Sequence, residues 1–129
     1  MTFITADQIL AHLVGDYLLQ SHWMATEKTK QSFAASAHAY TYTLPFLFLA
    51  QDIPSLLFIG TTHFLIDRFC LARYIVWFKN GYAFSGKPVT ATGYKDDVPA
   101  WLAVWLLIIA DNVLHLICNG AALAIWTSP

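Results

Sequence analysis

Seven side chains carry most of the chemistry this sequence offers: His12, His38, His63 and His115, with Asp16, Asp67 and Asp111. Six of them form three pairs at a spacing of four: His12 with Asp16, His63 with Asp67, and Asp111 with His115. Residues four apart share one helix face, one turn from each other. That spacing suits a metal ion or a proton relay. All seven lie in apolar stretches, where ionisable groups are costly and mark function by default. Imidazole with carboxylate suits zinc, manganese or iron better than calcium. The cofactor expected is therefore a divalent transition metal, zinc or manganese first. Seven candidates exceed one tetrahedral site, so either two ions bind or some of the seven support the others. Asp16 is the candidate general base, if its carboxylate is not bound to metal. The bland alternative is polar glue between helices.

Weaker signals surround the seven. Gln20 follows Asp16 by one turn, and Asn112 adjoins Asp111; both are candidates for outer support of the site. Asn112 points about 100° away from Asp111, which aims it at another helix. Lys28, Arg68 and Lys87 could hold an anionic substrate, or could serve only as topology charges. His22, beside Trp23, reads as an interfacial residue, with a proton shuttle as the alternative.

Composition narrows the class. The 129 residues suffice for a single domain. The chain is 57% hydrophobic and only 12% charged, with a mean hydropathy of +0.52. These values fit a membrane protein better than a water-soluble domain. Trp and Tyr recur near the ends of apolar runs, as interfacial belts require. A net charge of −1 without a basic patch excludes a nucleic-acid partner. The first residues lack a basic segment and a cleavage pattern, so no cleaved signal peptide is expected. Cys70 and Cys118 have no metal-motif spacing and read as apolar filler.

The elements expected to position these residues are about four helices in an integral membrane bundle, all-α, forming one membrane-embedded domain over residues 1–129. Thr5-Ala6-Asp7-Gln8 has the form of a capping box, starting a helix of about 16 residues, short against the ~20 of a full span. Ser21 to Gln31 is polar and reads as a connection. Phe33 to Ala50 is the second span, interrupted at Pro45. After a turn at Gln51-Asp52-Ile53-Pro54, with Asp52 as cap, a third helix runs through Asp67 and onward toward Phe78. Lys79 to Asp97 is a long polar loop and a candidate lid. Asp97 and Pro99 start the fourth helix, which runs to about Trp126.

All Lys and Arg fall at Lys28 and Lys30 or between Arg68 and Lys95. Four spans put both groups on one side, which the positive-inside rule makes cytoplasmic. The Asp of each pair then lies nearer the cytoplasm and the His about 6 Å deeper. The reversed order of the Asp111–His115 pair fits the reversed direction of its helix.

His12-Leu13-Val14-Gly15-Asp16-Tyr17-Leu18-Leu19-Gln20, His38 and His63-Phe64-Leu65-Ile66-Asp67 resemble an uncharacterised family of small phage and bacterial membrane proteins, a domain of unknown function. Thr92-Gly93-Tyr94, Pro99-Ala100-Trp101-Leu102 and Asp111-Asn112-Val113-Leu114-His115 are similar too. The resemblance covers most of the chain and brings no established activity. The His and Asp on short hydrophobic helices also resemble, by spacing, bacterial inner-membrane metal-dependent hydrolases. The reading that follows is a multi-pass protein of the bacterial inner membrane, with scope for homo-oligomers. It would hydrolyse a lipid-linked or amphiphilic phosphoester or related ester in the cytoplasmic half of the bilayer. The alternative is non-enzymatic: a metal or proton permease, or a phage pore or interaction protein, with the cluster as pathway or glue.

Overall fold

A computed structural model describes residues 3–50 and 52–127, and among these it contains helices and no strands. The elements are α1 (Ala6–Leu13), continued by a π-helical turn (Val14–Leu18), α2 (His22–Glu27), α3 (Ser32–Thr43), a 3-10 segment (Leu44–Phe48), α4 (Ile53–Phe69), α5 (Leu71–Lys79), a short 3-10 turn (Tyr82–Ser85) and α6 (Ala100–Trp126). They divide into two compact units. The first holds residues up to Phe69 together with His115 onward, and the second runs from Cys70 to Leu114.

Several local expectations hold. Thr5 and Gln8 form the reciprocal box that opens α1: Gln8 N donates to Thr5 Oγ1 at 3.3 Å, and Thr5 N to Gln8 Oε1 at 3.4 Å. Asp52 caps α4 by accepting from Ser55 N at 2.7 Å; Gln51, part of the same expected turn, lies outside the described residues. Pro45 ends α3, and the chain tightens into 3-10 geometry there. Other expectations need correction. The first helix is not uniform: Leu19 N reaches Val14 O, so the turn carrying Asp16 is π-helical. The connection from Ser21 is not irregular, because Ser21 caps α2 through Met24 N at 3.2 Å. The third helix does not run on to Phe78 unbroken. Cys70 sits at φ 50°, in the left-handed region, which stops α4 and starts α5.

In the first unit a polar layer is buried alongside the apolar core, and large apolar side chains are exposed. Gln8, His12, Asp16, His38, Ser55, His63, Asp67, His115 and Asn119 are buried. Leu18, Phe33 and Tyr40 are each 76% exposed, and Phe48 is 87% exposed. Small residues let the helices approach: Ala34 and Ala35 of α3 are fully buried. A small apolar cluster of Ala11, Tyr42, Phe46, Ile59 and Ala122 adjoins the polar layer through Tyr42.

In the second unit, Val76, Tyr94 and Ala103 form a core with Val98, Leu106 and Leu107 against it. The expected lid is packed rather than structureless. Tyr94 is only 8% exposed, and Trp77 Nε1 donates to Lys87 O at 2.8 Å. Gly93, at φ 78°, lies so close to the Arg73 carbonyl that no side chain would fit.

Among the described residues one helix, α6, is long and apolar enough to cross a membrane, with 27 residues and a mean hydropathy of 1.9 over its best window. α4 and α5 would count as a second span only if taken together as a broken one.

Candidate metal centre

The site is assembled from stripes at a spacing of four on separate helices. α1 and its π turn present Gln8, His12 and Asp16; α3 presents His38 and Tyr42; α4 presents Ser55, Ile59, His63 and Asp67; α6 presents His115 and Asn119. All of these are buried. The π turn places Asp16, and Gly15 before it permits the approach of α3. A Cβ on Gly15 would stand 2.6 Å from Tyr42 Cδ2 and 3.0 Å from Tyr42 O. The glycine of the His-x-x-Gly-Asp element is thus a close-packing position.

Four of the seven expected ligands converge: one atom from each of Asp16, His38, His63 and Asp67 lies within 4.8 Å of the others. His38 Nε2 is 2.9 Å from His63 Nε2, 3.0 Å from Asp16 Oδ1 and 3.2 Å from Asp67 Oδ2. His63 Nε2 is 3.1 Å from Asp67 Oδ2 and 3.6 Å from Asp16 Oδ1. A ring nitrogen has either one hydrogen or one lone pair, so His38 Nε2 cannot satisfy three such neighbours by hydrogen bonds. Four ligands about 2.0–2.1 Å from a tetrahedral zinc ion stand about 3.3 Å apart. The observed separations bracket that value, and two nitrogens with two carboxylate oxygens are a fitting donor set.

The other three expected ligands differ in place. His12 Nε2 lies 3.8 Å from Asp16 Oδ2, and His115 Nε2 lies 3.3 Å from Asp67 Oδ1. Both imidazoles therefore flank the carboxylates from outside the quartet. Asp111 is half-buried on the stretch of α6 that belongs to the second unit. Asp16 faces both ways, with Oδ1 toward the quartet and Oδ2 toward His12.

Lys28, from the C-terminal end of α2, places its ammonium 2.8 Å from Asp67 Oδ2, 3.5 Å from His38 Nε2 and 3.9 Å from Asp16 Oδ1. It is a cation at the cluster itself, beside the two carboxylates. Arg68 supports that placement: its guanidinium donates to Thr29 O at 2.7 Å and to Ser32 Oγ at 3.2 Å, fixing the link that follows α2. Glu27 is the last residue of α2, just before that link. Its hydrogen bonds from Lys30 and Gln31 hold its carboxyl below the ordinary value. Two carboxylates against one ammonium leave a negative charge at the cluster for an imidazolium or a bound cation to meet.

Lys87 and Asn112 lie in the second unit, where Asn112 donates to Ile108 O on its own helix at 2.7 Å. Gln20 is half-buried, and its Oε1 has no hydrogen-bond partner among the described residues. His22 is exposed at the start of α2.

Tyr42 and Asn119 were not among the expected residues. Tyr42 is fully buried and stacks on His63 at 3.6 Å between ring centroids, 18° from parallel; His63 also stacks on His115 at 4.1 Å. Tyr42 Oη accepts from Asn119 Nδ2 at 2.6 Å and lies 2.8 Å from His12 Nδ1. The signal for both was present, since Tyr42 follows His38 by four and Asn119 follows His115 by four.

The chain belongs to a family described as protein of unknown function (DUF3307), whose family model matches residues 4–128. No curated protein and no solved structure gives a significant match.

Proposed function

We propose that this chain is a membrane-embedded, metal-dependent hydrolase acting on a lipid-linked or amphiphilic phosphoester or related ester. The observation that carries the reading is the buried quartet Asp16, His38, His63 and Asp67, with ligand-type atoms at metal-site spacing. Such groups are seldom buried together unless paired or coordinating. His38 and His63 would hold the ion through Nε2 and Asp67 through one oxygen, leaving the fourth position of a tetrahedral site for a water. A bound divalent ion would supply an activated water and polarise the scissile group. Asp16, not bound to the ion, would accept the proton of the attacking water through Oδ1, the oxygen that faces the quartet. The Lys28 ammonium would balance charge on a phosphoryl oxygen. The exposed apolar side chains around this polar interior support a lipid setting, in which the site would lie in the cytoplasmic half of a multi-pass bundle.

Lys28 also favours a second reading. Its ammonium already pairs with Asp67 at 2.8 Å, as polar glue or a proton or metal pathway in a non-enzymatic protein would allow. Metal analysis separates the two. Purified wild-type protein in mild detergent, without chelator or histidine tag, should carry stoichiometric transition metal, and His63→Ala should lose it while still inserting. Under the glue reading His63→Ala costs about 1 kcal/mol and there is no metal to lose. Wild-type protein free of tightly bound metal sinks the hydrolase reading. If metal is present, a panel of amphiphilic phosphoesters tests for turnover.

A further inference from the structure

One carboxylate oxygen at the cluster has more than one claimant. Asp67 Oδ2 lies 2.8 Å from the Lys28 ammonium, 3.1 Å from His63 Nε2 and 3.2 Å from His38 Nε2. It is also the oxygen that would bind the ion together with those two imidazoles. An ion about 2.1 Å from Asp67 Oδ2 would stand within about 5 Å of the ammonium in its present position. At that range a divalent ion and an ammonium repel, and burial of the surrounding groups leaves little water to screen them. The side chain that carries the ammonium is the one able to move. Lys28 caps the end of α2, a helix with no buried residue, and its side chain is 17% exposed, against 3% for Asp67. Its four-carbon stem is flexible, whereas His63 is held between the rings of Tyr42 and His115.

We propose that Lys28 is a tethered counter-cation that a metal ion displaces from Asp67, and that the displaced ammonium then binds an anionic group of the phosphate type beside the ion. The proposal rests on the metal reading of the quartet and adds an order of binding to it. Charge decides what the displaced ammonium meets. Asp16 and Asp67 bring two negative charges, of which Lys28 offsets one and a divalent ion both. With the ion in place the ammonium is surplus positive charge, and a lysine point charge suits a phosphate group. Before the ion arrives, an incoming anion meets two carboxylates and one ammonium already turned toward them, at 2.8 Å from Asp67 and 3.9 Å from Asp16, and is repelled. Metal and anion therefore each tighten the binding of the other.

Zinc and inorganic phosphate serve as probes, with the full chain in mild detergent, stripped with chelator and reloaded. Lys28→Met keeps the length of the stem and removes the charge. It should bind zinc more tightly than wild type, by roughly 5- to 150-fold, the usual span of such coupling. Zinc-loaded Lys28→Met should bind phosphate more weakly than zinc-loaded wild type by a similar factor. A purely structural ion pair would weaken zinc binding when broken, so the opposite signs identify displacement. The wild-type chain gives a second readout that covers the case in which Lys28→Met does not fold. Acylation of Lys28, followed by peptide mass spectrometry, should speed up when zinc is added. Lys30, 65% exposed and paired with Glu27, should acylate at the same rate with and without zinc. Equal or weaker zinc binding by folded Lys28→Met overturns the proposal, as does Lys28 acylation that zinc slows or leaves unchanged. In either case a wild type that binds zinc keeps the hydrolase reading, whereas a wild type that binds no added zinc ends both.

Discussion

His63 is held by its faces rather than by its back. The Nδ1 atoms of His38 and His63 are buried without a hydrogen-bond partner among the described residues. Metal-binding imidazoles usually donate this hydrogen to a carboxylate or carbonyl. Here the ring of His63 is located instead by stacking on Tyr42 and His115. This dependence on ring packing makes Gly15 a sensitive position, because it lies against the same Tyr42. A methyl group there must displace either the ring or the α3 backbone, since the contacts would be 2.6 and 3.0 Å. Overpacking of this kind costs about 1–3 kcal/mol. Gly15→Ala should therefore lower thermal stability in detergent and also reduce metal content. Full metal content at unchanged stability would show that α3 can yield without disturbing His63.

At the scale of elements, the break at Cys70 separates α4, which carries His63 and Asp67, from α5. An L-residue in the left-handed region costs roughly 1–2 kcal/mol, and glycine escapes most of that cost. Cys70→Gly should raise the melting temperature slightly, and Cys70→Val should lower it, because a branched side chain tolerates positive φ least. The order Gly above Cys above Val in thermal scans checks the assignment; equal values would mean that the helix is continuous in solution. α2 is the other element that matters. It delivers Lys28 to the two carboxylates, and its hold on α4 through Arg68 is made at the surface. Arg68→Ala should leave α4 folded while weakening that hold, seen as faster hydrogen exchange in residues 22–31.

At the scale of the whole molecule, polarity is the informative feature. Side chains that usually seek water are inside the first unit, and apolar side chains as large as Phe33, Tyr40 and Phe48 are outside. Along α6, Trp101, Trp105, Ile109, Val113 and Ile117 are exposed at a spacing of four. Under the proposed membrane reading, lipid would account for both facts, because it accepts apolar surface and forces polar groups to find partners inside. The protein should then stay with the membrane pellet after alkaline carbonate extraction. A cysteine at Ser85, among the clustered basic residues, should resist impermeant maleimide added outside intact cells. Release into the supernatant, or ready labelling, would overturn the membrane reading or its orientation respectively.

Whatever depends on local geometry is legible in the order of residues alone. Residues four apart share a helix face wherever the helix is placed, so the pairs His12–Asp16 and His63–Asp67 and the caps at Thr5 and Asp52 were legible. Tyr42 and Asn119 could have been read by extending the same spacing one turn. Which faces meet is a matter of tertiary packing. That Asp16, His38, His63 and Asp67 converge, that His12 and His115 flank the carboxylates, and that Lys28 reaches them from a helix inside an apparent connection all follow from helix approach. That approach is set by residues with little chemistry of their own, Gly15 against Tyr42 and the buried alanines of α3. Their effect lies in the absence of side-chain bulk at a contact between distant parts of the chain. No local pattern in the sequence encodes it.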